Sequence, residues 1–239
     1  MPRLLLTITF LSLLASSAFA VGIDLSVAAC PGDPGATATT GTLDCAGGHS
    51  VTLLATFMPA EPYTDLVAVD MLFDLALDVD VATNATFWDF EHANTEGLGT
   101  NHRMPASGCA TYTNTWNPAG SASAWAAFVR SPSIVRILSL CYRPTNLAVL
   151  RNQRLFGMQL IIYTSTAIES QGTATGCTSS VCMVLQQALP GTASAQVNTP
   201  LTTPSVFGNQ ITINGGSNTK CFAVPAVRHT WGQLKSLYR

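Results

Sequence analysis

From Val67 to Val81 apolar and polar residues alternate with a period of two. The odd positions read Val67, Val69, Met71, Phe73, Leu75, Leu77, Val79 and Val81, and the even positions include Asp70, Asp74, Asp78 and Asp80. Successive strand side chains point to opposite faces, so the pattern predicts a long strand with one face on the core and one acidic face in water. A helix would scatter the aspartates around its axis. On this reading Phe73→Asp unfolds the domain and Asp74→Ser is nearly neutral. Fifteen residues is long for a strand, which predicts a bulge or a bend into a second sheet.

Shorter strands are predicted over Ile23–Val27, Val51–Phe57, Ser133–Tyr142, Arg154–Thr164, Val181–Ala188 and Gln210–Asn214. Turn clusters separate them, such as Met58-Pro59-Ala60-Glu61-Pro62, whose prolines no central strand tolerates. Residues 82–132 read as one irregular polar stretch with scattered aromatics, the kind of long loop that often carries function. Strands without intervening helical patterns predict a single all-β antiparallel sandwich of roughly eight strands.

The two ends differ from this body. Arg3, the apolar run Leu4–Leu14 and Ala18-Phe19-Ala20 have the layout of a signal peptide cleaved after Ala20. The apolar run is too short to span a bilayer, which takes about 20 residues. At the other end, Thr230 and Gln233 have capping-box spacing, and Trp231, Leu234 and Leu237/Tyr238 recur at helical intervals. The expected layout is a signal peptide over 1–20, a sandwich over 21–222, and a linker with a short C-terminal helical tail over 223–239.

Composition narrows the function. After Ala20 the chain carries thirteen acidic and ten basic residues, with two lysines, Lys220 and Lys235. No basic run exists, which argues against nucleic acid or an anionic membrane surface as partner. Thr, Ser, Ala, Val and Gly dominate, and four glutamates are too few to fill exposed helix faces.

Seven cysteines in an exported chain read as disulfides with one thiol left over. The shortest pairings are Cys30–Cys45 and Cys177–Cys182, with Cys109–Cys141 as a third, although spacing does not determine connectivity. Zinc is disfavoured, because no CxxC pair is present.

Catalytic signatures are missing: there is no GxSxG and no HExxH. His92 and His102 share the aromatic-rich stretch, but isolated loop histidines are the simpler explanation, as for His49 and His229. The aspartates Asp70, Asp74, Asp78 and Asp80 offer calcium oxygens, yet neighbours on one strand face stand about 7 Å apart, too wide to chelate alone. A solvated face is the better account of them, and paired carboxylates for glycoside hydrolysis find no other support. Trp88, Tyr112, Trp116 and Trp125 are the candidate ligand-binding residues, as a flat platform for sugar rings. The competing account puts them in the core. No cofactor is indicated.

Three segments resemble a group of uncharacterised exported bacterial proteins with a cohesin-like or carbohydrate-binding-module-like β-sandwich of immunoglobulin type. They are Thr86-Phe87-Trp88-Asp89-Phe90, the stretch from Gly176 through Cys177 and Cys182 to Leu185, and the tail from Thr230 to Arg239. The resemblance implies a sandwich working outside the cell and supplies no catalytic residues. The cysteine content departs from a true cohesin, and no dockerin-like calcium repeat is present. The combined expectation is a secreted or cell-surface, non-catalytic module with a protein or polysaccharide partner. A carbohydrate-binding module is the alternative, and a glycosidase-like enzyme comes third.

Overall fold

The computed structural model describes residues 21–36, 40–46, 50–164, 174–194, 199–205, 207–215 and Cys221. The expected signal peptide, His49, His229 and the tail over 223–239 lie outside the described residues. Among those described, ten strands follow in chain order: β1 (Gly22–Val27), β2 (Thr40–Gly41), β3 (Ser50–Met58), β4 (Tyr63–Leu77), β5 (Leu98–Asn101), β6 (Ala122–Ser131), β7 (Ile134–Val149), β8 (Leu155–Tyr163), β9 (Val181–Thr192) and β10 (Gln210–Ile213). They form a four-stranded sheet, β1-β3-β8-β5, and a six-stranded sheet, β2-β10-β9-β4-β7-β6. Neighbours run antiparallel except β2 and β10, which pair in parallel.

The long alternating strand is present at the centre of the larger sheet. β4 ends at Leu77, and Asp80 then turns the chain by accepting the Ala82 and Thr83 N–H groups at 2.9 and 3.2 Å. The expected irregularity is there too: the register of β4 slips against β9 between Leu72 and Phe73. Val69, Met71, Phe73, Leu75 and Leu77 are buried, and Val67 is only half-buried.

Two strands run past their predicted ends through a proline. Pro144 of β7 lies beyond the last β6 pair, Ala122 with Tyr142, and Pro190 of β9 lies beyond the β10 ladder, which stops at Val184. Each proline sits where its strand has a sheet neighbour on one side only, so its missing N–H need not break a ladder bond. Within the stretch read as irregular, β5 and β6 are strands. In β6 the sequence Ala-Ser-Ala-Trp-Ala-Ala-Phe lacks the β-branched residues that mark a strand, and pairing with β7 supplies what propensity does not.

The core lies between the sheets. Ile23 and Leu25 of β1, Leu53 of β3 and Met158, Leu160 and Ile162 of β8 meet the buried residues of β4, β7 and β9. Ser139 Oγ donates to Met158 Sδ across the gap at 2.8 Å. At Gly157 a Cβ would fall 2.8 Å from the Ala55 carbonyl oxygen of the neighbouring β3, backbone that cannot step aside, so the site requires glycine.

A candidate interaction face

The aromatic candidates are mostly structural. Trp88, Trp116 and Tyr112 are buried, and each polar tip is satisfied by a backbone carbonyl. Trp88 Nε1 donates to Gly176 O at 2.9 Å, Trp116 Nε1 to Gly157 O, and Tyr112 Oη to Pro31 O at 3.0 Å. Phe87 and Phe90 pack edge-on against Trp88, at centroid distances of 5.2 and 6.2 Å. Burial pushes the Tyr112 phenol up to about 12. Of the four, Trp125 alone is half-buried rather than buried. A flat sugar platform needs several exposed rings, and three of these four are buried. Trp88, Tyr112 and Trp116 carry the connection between β4 and β6 into the core.

The disulfides join Cys30 to Cys109, Cys45 to Cys177 and Cys182 to Cys221, with Cα–Cα distances of 4.9, 6.0 and 5.4 Å. None of the three short pairings forms. Cys177 belongs to the main core, whereas Cys182 stands on the opposite, outer face of the six-stranded sheet, so the two thiols point apart. Cys30 is held to the loop after β5, where its N–H donates to Gly108 O at 2.6 Å. Cys141 is the thiol left over; it lies in the core, where burial raises its pKa well above the ordinary thiol range and suppresses the reactive thiolate.

The histidines are dispersed. His92 stacks three small contacts with its neighbours: its N–H and Nδ1 reach Asp89 Oδ1 at 3.0 and 3.2 Å, and Nε2 stands 3.8 Å from Glu91. Glu91 in turn accepts the Val129 N–H of β6 at 2.6 Å. Burial and Arg103 lower the pKa of His102. Among the described residues no group of three or more His, Cys, Asp or Glu is arranged to hold a metal ion.

The acidic face of β4 departs most from expectation. Opposite residues in an antiparallel ladder share a face. Five cross-strand rows therefore cover the outer side of the six-stranded sheet. In chain order along β4 they are centred on Ala68, Asp70, Leu72, Asp74 and Ala76. Asp74 is fully buried, and Arg136 of β7 clamps it with Nε and a terminal nitrogen, both at 2.7 Å. Beside it, Leu72, Ala76, Val184, Gln187, Cys182 and Thr212 are buried as well. Burial then fades along the strands: Asp70 and Leu189 are half-buried, while Leu140 is 39% and Tyr142 45% exposed. Ala122 and Ala124 of β6 are exposed beside them. The solvated acidic surface is thus an apolar sheet face with one ion pair sealed at its buried end.

Asp70 sits at the border. No hydrogen bond or ion pair joins it to another described residue, and burial pushes its carboxyl up to about 6. Asp78 is exposed, and Asp80 shapes the turn after β4.

No protein-family model matches the chain, and no curated protein matches it. Among solved structures it is similar to a cohesin module of a family 33 glycoside hydrolase from Clostridium perfringens. That match has 12% identity and a TM-score of 0.35, and covers 82% of this chain and 98% of the other. It is also similar to a type I cohesin–dockerin complex from Clostridium thermocellum, at 10% identity and TM-score 0.31, over 82% of this chain and 95% of that one. Likeness of this size carries no argument about function. Among the described residues no helix is long and apolar enough to cross a membrane.

Proposed function

We propose that the chain is an exported, non-catalytic interaction module that holds a protein partner on the open rows of the six-stranded sheet. The observation that carries this reading is the exposed apolar strip of Leu140, Tyr142, Ala122 and Ala124 beside Asp70. Water gains nothing by wetting such a strip, whereas an apolar partner surface buries it, with the aromatic ring as anchor. Export is supported by three disulfides, which persist in oxidising compartments, and by the leader pattern that ends at Ala20. The protein partner is preferred to a polysaccharide because three of the four candidate sugar-stacking rings are buried in the core.

The test uses immobilised mature chain against the secreted proteins of its own source. A partner retained by the wild type is lost in Leu140→Lys and in Tyr142→Lys, and is kept by Leu150→Lys, whose side chain is exposed on the connection after β7. Equal retention by all three variants, or retention of polysaccharide alone, overturns the proposal.

A further inference from the structure

β7 carries two buried arginines, and they differ in what faces the guanidinium. At Arg136 the edge formed by Nε and Nη2 grips the Asp74 carboxylate, with both bonds at 2.7 Å. Arg143 is only 7% exposed, yet no carboxylate among the described residues stands within ion-pair distance of it. Its Nη1 donates to the Thr115 carbonyl at 2.8 Å, and Nη2 reaches Thr145 Oγ1 at a long 3.3 Å. Its Nε is buried without a hydrogen-bond partner. An arginine keeps its charge, so burial without a counter-charge is costly. Burial lowers the pKa of Arg143, in the direction that cost requires.

A second unsatisfied group lies opposite. The β6–β7 ladder ends on the pair Ala122 and Tyr142. One residue further, the register sets Ser121 across from Arg143, on the side of β7 that carries the buried Cys141. Ser121 Oγ is likewise buried without a hydrogen-bond partner. Facing residues in an antiparallel pair stand ~5 Å apart at Cβ, so one small ligand can touch both. Two unsatisfied polar groups at facing positions call for a common partner. They also lie near the surface. Tyr142, Pro144 and Thr145 are exposed, as is Gly120 of the turn that the Ser121 N–H closes on Pro118 O at 3.1 Å.

The chemistry selects the ligand. The Nε and Nη2 edge presents two parallel N–H donors that match the two oxygens of a carboxylate, as Asp74 shows on the same strand. The Ser121 hydroxyl can donate to one of those oxygens. One buried cation cancels one negative charge, so a monoanion is preferred to a phosphate dianion.

We infer that Arg143 and Ser121 form a carboxylate-binding site at the rim of the sandwich, in which the guanidinium takes the ligand side-on through Nε and Nη2 and the Ser121 hydroxyl donates a third bond. The carboxylate belongs to a small organic acid or to an aspartate or glutamate side chain of a peptide. The site lies on the opposite side of β7 from Leu140 and Tyr142, so it does not rest on a partner docking there.

NMR of the isotope-labelled mature chain tests this through the arginine Nε–H resonances, at mildly acidic pH where they exchange slowly. Arg143→Lys and Arg136→Lys assign the two signals. Sodium acetate is titrated against sodium chloride at equal ionic strength. The expected result is a saturable shift of the Arg143 signal with acetate only, while the Arg136 signal, capped by Asp74, stays in place. In Ser121→Ala the midpoint rises about ten-fold, as loss of a hydrogen bond to a charged group implies. An unmoved Arg136 signal in that variant shows that the sheet is intact. The blocked tripeptide Gly-Glu-Gly and its Gly-Gln-Gly twin separate the two sources. A shift with the Glu peptide and not its twin assigns the site to an acidic side chain, and a shift with acetate alone assigns it to small free acids. No saturable shift with acetate or the Glu peptide, an equal shift with chloride, or an unchanged midpoint in Ser121→Ala would each overturn the inference. None of these outcomes bears on retention of a partner by Leu140 and Tyr142, so the two proposals fail separately.

Discussion

Asp24 shows how one buried carboxyl tunes this fold to acid. It lies on β1, accepts a hydrogen bond from Ser205 Oγ, and burial raises its pKa from 3.8 to about 6, with Ser205 and Arg154 pulling partly the other way. Between those two values the folded chain binds more protons than the unfolded chain. Stability therefore falls as pH rises from about 4 to 6 and stays low above it. Asp24→Asn removes the dependence: thermal melts show the variant more stable by about 1–2 kcal/mol at pH 8 and level with wild type near pH 3.5. Asp74 is a buried carboxylate of another kind, held by an ion pair. Its alternation with apolar residues marks it correctly as an outward position, but period-2 patterning reports the face and not whether the face is wet. The Asp74–Arg136 pair is buried on that face, so Asp74→Ser takes the carboxylate away from a buried guanidinium and costs about 3–5 kcal/mol in urea unfolding. Asp74→Leu with Arg136→Met recovers most of the loss.

At the scale of elements, legibility followed propensity. β4 was readable because its alternation is strong, and β8 because Phe156, Met158, Leu160 and Ile162 share a face. β6 was not, because alanine and serine fill it and its identity as a strand comes from pairing with β7. It also closes the sheet, and its outer edge is guarded by Glu91, which accepts the Val129 N–H. An edge with unpaired donors invites pairing with another chain. In Glu91→Ala the Val129 amide therefore exchanges with deuterium roughly ten-fold faster, as loss of one charge-assisted bond of about 1.5 kcal/mol implies. An unchanged rate would show that the carboxylate does not hold the edge.

For the molecule as a whole, the two-sheet architecture was legible and the cross-links were not. Sequence distance favours neighbours, but folding brought Cys30 to a partner 79 residues away and Cys45 to one 132 away. The position of Cys182 on the outer face, set by strand register, excluded its nearest neighbour. The burial of Trp88, Tyr112 and Trp116 was hidden for a related reason: an aromatic in a polar stretch looks exposed until the stretch is seen to fold back on the sandwich. Loop-closure entropy ranks the bridges. Replacing Cys45 and Cys177 by serine costs about 5 kcal/mol and replacing Cys182 and Cys221 about 4, on a chain-entropy model. Denaturant midpoints should fall in that order, with Cys141→Ser neutral to the bridge pattern.

The connectivity also imposes an order of events on a chain made from its N-terminus. Cys30 and Cys45 are the first two thiols to emerge, and neither belongs to the other. Cys109 must arrive before the first native bond can close, and Cys177 before the second. An oxidant that joins cysteines as they appear thus makes the wrong ring first, because a short loop closes faster than a long one. The native set is then reached by thiolate exchange. Cys141 takes little part in this traffic once the sheets close over it, since burial keeps its sulfur protonated. This connectivity therefore calls for surroundings that rearrange disulfides as well as form them.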